Sequence, residues 1–154
     1  MKGFCVAEQG HVVNALIPQA ITTNALVSDY FSLKEYQHAS IILTKGSGSA
    51  TTVTLYEAPV SGGTGESTIV FNYWKEGTAA GDTLAAKVAA TTAGITTGTA
   101  SGVMIIIEVD AAELSDGYPY LAVHLSALGG TGYVSCQVVL SGGVEQSTTA
   151  TAIT

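Results

Sequence analysis

Apolar and polar residues alternate with a period of two over much of this chain. In "TTVTLYE" (51–57), Val53 and Leu55 point one way while Thr52, Thr54 and Tyr56 point the other, as in a half-buried β-strand. Similar runs occur at "HVVNALI" (11–17), "ASIILTK" (39–45), "VMIIIEV" (103–109), "YPYLAVHL" (118–125) and "GYVSCQVVLS" (132–141). In "STIVFNYWK" (67–75), Ile69, Phe71 and Tyr73 share one face and Val70, Asn72 and Trp74 the other. Both faces are largely apolar, which predicts a strand covered on both sides. The five-residue linker "GSGSA" between 39–45 and 51–57 predicts a hairpin. Short strands separated by Gly, Ser and Asp turns predict an all-β domain of β-sandwich or jelly-roll type.

Two stretches break the rhythm. In 77–102, Asp82 and Gly94 suit the two ends of a helix, yet Leu84, Ala86 and Val88 alternate and the following threonines favour extended chain, so strand is the expectation. The tail "SGGVEQSTTATAIT" (141–154) has few large apolar residues and no period. The predicted organisation is one sandwich domain over 1–142 and an extended or flexible arm over 143–154.

Composition changes the picture in one direction. A chain of 154 residues makes one domain with a real core, but only 11% of it is charged, against about 25% in typical proteins. Hydrophobic residues make up 47%, and Thr, Ser and Gly dominate the rest. Such a surface suits assembly, because interface cores are depleted in Lys, Glu and Asp. The net charge of −7 comes from 12 acids against 5 basic residues, all lysine, with no arginine. Phosphate neutralisation and guanine readout both need Arg and Lys, so nucleic acid is excluded as a partner. The start "MKGFCVAEQGHVV" lacks the unbroken apolar run of a signal peptide, and no segment has the ~20 apolar residues of a membrane span.

The densest chemistry is "IIIEVDAAELSDGYPYLAVHL" (105–125), with Glu108, Asp110, Glu113 and Asp116 followed by His124. Asp110 and Glu113 have capping-box spacing, and Asp116-Gly117 is a turn dipeptide, so a strand, cap, turn, strand unit accounts for the acids. "DAAELSDGYPYL" puts Ala and Leu where a calcium loop needs oxygen ligands. A hydrolase built from these acids with His124 is a weaker reading. Cys136 alternates with Val134, Val138 and Leu140 as a buried hydrophobe, and its pairing with Cys5 stays open. His11, His38 and His124 lack zinc-site spacing, and the Gly-rich segments lack a phosphate-loop ending. No catalytic, cofactor or metal residue is expected. Trp74, Tyr118 and Tyr120, with Tyr73 and Tyr133, suit core or interface packing better than a sugar-stacking platform.

The blocks "MKGFCVAEQGHVVN", "FNYWKEGTAAGDTLAAKVAATTAGI" and "IIIEVDAAELSDGYPYLAVHLS" resemble a family of small proteins encoded among the head genes of tailed bacteriophages and prophages, a likeness that runs from Met1 to about Gly142. The tail beyond Gly142 departs from the family's pattern. The resemblance implies a virion structural protein made in the bacterial cytoplasm, most plausibly a decoration or cement protein on the outer capsid surface. Its implied partners are the major capsid protein and copies of itself, as a homotrimer, without cofactor, nucleic acid or membrane. Flexible ends make Phe4, Val6, His11 and Val144 the expected contact residues. The alternatives are a neck, tail or head-fibre component, or a displayed glycan-binding module using Trp74 and the tyrosines.

Overall fold

The computed structural model describes residues 3, 5–76, 83–143 and 153. After a one-turn helix α1 (Val6–Gln9), the strands are β1 (His11–Ile21), β2 (Leu26–Val27), β3 (Phe31–Ser32), β4 (His38–Lys45), β5 (Thr52–Ala58), β6 (Ser67–Ile69), β7 (Phe71–Glu76), β8 (Val88–Ala90), β9 (Ile95–Thr96), β10 (Val103–Asp110), β11 (Tyr120–Leu125) and β12 (Gly132–Ser141). They form two antiparallel sheets. The first has the order β1-β12-β4-β10-β7-β8. The second has the order β2-β11-β5-β6, with β3 also on β11 and β9 on β5. The all-β sandwich expected from the alternation is the fold found.

The period-two pattern places the core. Ala39, Ile41 and Leu43 of β4, Val103, Ile105, Ile107 and Val109 of β10, and Val134, Cys136, Val138 and Leu140 of β12 are buried on the inner face of the first sheet. Val53 and Leu55 of β5, and Leu121 and Val123 of β11, meet them from the second. Each valine, leucine and isoleucine among them contributes about 1.5–3 kcal/mol on burial, and together these layers hold the sheets face to face.

Two expectations are revised. The strands 39–45 and 51–57 do not form a hairpin: β4 lies between β12 and β10, so both its edges are taken, and β5 pairs with β11 and β6 in the other sheet. The Gly46–Ala50 linker is an arch between sheets. It is held by Gly48 at φ +115°, packed so closely that a Cβ there would stand 2.2 Å from the Thr131 carbonyl oxygen. The run 67–75 is not one strand covered on both sides. It switches sheets at Val70, which is 65% exposed, so that Ser67–Ile69 pairs with β5 and Phe71–Glu76 with β10. In 77–102, the described residues from Thr83 onward hold the short strands β8 and β9 joined by a turn at Gly94 (φ +79°). The expected cap Asp82 lies outside the described residues.

The connections at one end of the sandwich converge on a buried cation. Lys45 ends β4 facing inward, and its Nζ donates to the carbonyls of Gly46 (3.3 Å), Gly48 (3.1 Å) and Ala100 (3.0 Å). It ties the 46–50 arch to the Gly-rich segment before β10. Burial, assisted by the charge of Lys75, pulls its ammonium below the usual lysine range.

Candidate functional site

The acidic stretch folds as the cap and turn chemistry predicts. After β10, the Asp110 N–H donates to Glu113 Oε2 (3.0 Å) at the head of a single 3-10 turn, Ala111–Glu113. The Ser115–Tyr118 turn closes through Tyr118 N–H to the Ser115 carbonyl (3.0 Å), with Gly117 at φ +82°. The buried carboxylate of Glu57 accepts the Ser115 N–H at 2.8 Å, which fastens this turn to β5.

The histidine that meets these acids is His38, which the sequence did not single out. It stands opposite Asp110 in the β4–β10 register, and Glu108 stands opposite Ser40. His38 Nδ1 lies 2.7 Å from Asp110 Oδ1 and Nε2 lies 2.6 Å from Glu108 Oε2, while Ser40 Oγ donates to the same Glu108 oxygen at 2.6 Å. A neutral imidazole has one N–H, so satisfying both carboxylates requires the imidazolium. Burial acts to lower the His38 pKa, but the hydrogen bonds and charges of Asp110 and Glu108 outweigh it and hold the group above its ordinary value. With both ring nitrogens engaged by carboxylates, no lone pair is left to act as a base, and the cluster works as an ionic clamp between two strands. A period-two register between two strands about 70 residues apart carries the signal, and it becomes legible only once their pairing is known.

His124 sits on the other sheet. Its ring stacks on Tyr56 with centroids 3.9 Å apart and meets Tyr30 edge-on at 6.4 Å. Its Nε2 lies 3.4 Å from Glu66 Oε2, and the Tyr30 hydroxyl donates to that same carboxylate oxygen. Burial lowers the His124 pKa and Glu66 only partly opposes this. These contacts pin the Gly-rich 59–66 connection over the second sheet, so the grouping of His124 with Glu108 and Asp110 that a hydrolase would need is not assembled.

The other expected residues scatter. Val6 is exposed on α1, and His11 opens β1 with its ring 5.7 Å from that of Tyr36. Phe4 and Val144 lie outside the described residues, as does most of the 143–154 arm. Ile153 is described, and it bridges Phe31 at the margin of the second sheet. Trp74 lies on the outer face of the first sheet, opposite Ile106. Tyr120 lies on the outer face of the second sheet, where Lys34 Nζ sits 5.0 Å from its ring centroid. Tyr118 lines an open groove of about 300 Å³ with Leu33, Leu114 and Pro119. Trp74 therefore lies on the other sheet from Tyr120 and the neighbouring Tyr118, and the three do not form one stacking platform. Both cysteines are free. Cys5 is exposed, while Cys136 is buried, its thiol pushed up to about 12 by desolvation. Among the described residues, no group of three or more His, Cys, Asp or Glu is arranged to hold a metal, and no helix is long and apolar enough to cross a membrane.

No family model matches the chain. No curated protein matches it either. Among solved structures, the chain is similar to the SPBc2 prophage-derived protein YomS, at 12% identity and a TM-score of 0.43, over 84% of this chain and 99% of that one.

Proposed function

We propose that this protein is a structural component of a tailed-bacteriophage virion, a decoration or cement protein bound to the outside of the capsid shell. The observation that carries the reading is the surface. It is free of arginine and carries little charge, and it leaves Val12, Ile17, Val27, Val60, Val70, Val88 and Tyr133 between 46% and 65% exposed. The resemblance of its sequence blocks to phage head-gene proteins supports the same reading. The mechanism is mechanical. Contacts made only in the assembled shell add favourable free energy to that state and none to the dissociated one.

The test is mass spectrometry and antibody-labelled electron microscopy of virions of the phage that encodes the chain. Label distributed over the head, in copy numbers matching shell symmetry, is the expected result. Label confined to the neck, tail or fibres replaces decoration with that role, and absence from virions overturns the reading altogether.

A further inference from the structure

The outer face of the first sheet has a layout that the strand registers define row by row. One row runs Gln137, Ile42, Ile106, Trp74 across β12, β4, β10 and β7. The next runs Val12, Val139, Ser40, Glu108, Asn72, Ala89 and crosses all six strands. A third runs Ser135, Thr44, Met104, Glu76. Val12, Ile42, Trp74, Met104, Ile106 and Val139 thus lie on one surface, and none of them belongs to the core between the sheets.

Size and charge bear on what covers it. Six strands about 4.8 Å apart, with eight-residue central strands rising about 3.4 Å per residue, give a face of roughly 650 Å², close to the roughly 800 Å² per partner of a stable interface. No lysine side chain lies in these rows. The acids of this face are Glu108 and Asp110 at one end, clamped by His38, and Glu76 at one corner, itself buried, while Lys87 stands exposed at the β8 edge. A chain of net charge −7 repels its own copies over most of its surface, and this face is where two copies can approach without opposing acids. A two-fold axis lying across the strands sets the acidic end of one face over Ser135, Thr44 and Met104 of the other. It brings the Ile42, Ile106 and Trp74 row onto the central rows of its mate, at the spacing of packed sheets.

We infer that the outer face of the first sheet is a self-association surface, on which a second copy of this chain packs face to face. The inference rests on the sheet geometry, so it can fail while the virion reading stands, and the reverse.

The experiment is light scattering after size exclusion on the full-length protein at several concentrations, alongside the emission of Trp74, the only tryptophan. The expected result is twice the 15.6 kDa chain mass, with Trp74 emission shifting to the red as dilution separates the copies. Ile106→Lys puts an ammonium group into the apolar centre of the interface, where its desolvation opposes pairing, and should raise the dissociation constant on the order of 100-fold. Thr68→Lys, on the other sheet, should leave it unchanged. If Ile106→Lys does not fold, as judged by circular dichroism, Ile106→Thr keeps the strand and should weaken pairing in the same direction. A wild-type chain that stays monomeric at every concentration overturns the inference. So does an oligomer of any order whose mass neither Ile106 variant changes.

Discussion

Replacing His38 with Gln removes the cation of the β4–β10 clamp while keeping a side chain of similar size. The magnitude follows from the geometry. A buried charge-assisted hydrogen bond is worth about 1.5–3 kcal/mol, but His38 and Glu108 are each 30% exposed and Asp110 65%, so solvent screening reduces both arms. About 1 kcal/mol for the Glu108 arm and a few tenths for Asp110 give a loss of about 1–1.5 kcal/mol with the imidazolium present. Because the folded-state pKa lies above the unfolded value of 6.5, the contribution is fully present below pH 6.5 and is lost as pH rises through the folded value. Urea unfolding of wild type and His38→Gln at pH 5.5 and pH 9 reads this directly. The wild type should be the more stable by about 1–1.5 kcal/mol at pH 5.5, and the gap should shrink to a few tenths at pH 9. An equal gap at both pH values would refute the reasoning, since the clamp would then act through shape and neutral hydrogen bonding.

Lys45→Met strips three backbone carbonyls of their donor inside the sandwich, and should lower stability by about 1–3 kcal/mol in urea melts. Gly94→Ala forces an L-residue to φ +79° with its Cβ 2.2 Å from the Val53 carbonyl oxygen. A thermal melt should show a loss of at least about 2 kcal/mol. With a thiol-specific dye at pH 8, the native protein should label rapidly at Cys5 and at Cys136 only after denaturant is added. Rapid labelling of two thiols in the native state would show that the β12 core is open. Glu113→Ala removes the acceptor that caps the 111–113 turn and should cost about 1 kcal/mol, read from the urea midpoint.

Local chemistry was legible in the sequence wherever it acts over a few residues. Alternation at 51–57 and 132–141 assigns each side chain to a face, because successive residues of a strand point to opposite sides whatever the strand pairs with. The Asp110–Glu113 cap and the Gly117 turn are likewise settled within four or five residues. Pairing was not legible, because a strand's own pattern says which face is buried but not which neighbour it bonds to. The sheet containing β4 was filled by β10 and β12 from far along the chain, and that occupancy turned the expected 39–57 hairpin into an arch. The same non-local order split 67–75 between sheets at Val70. It also gave Glu108 and Asp110 their partner: His124 is nearer in sequence, but β11 joined the other sheet, and the antiparallel register of β4 with β10 placed His38 between the two carboxylates.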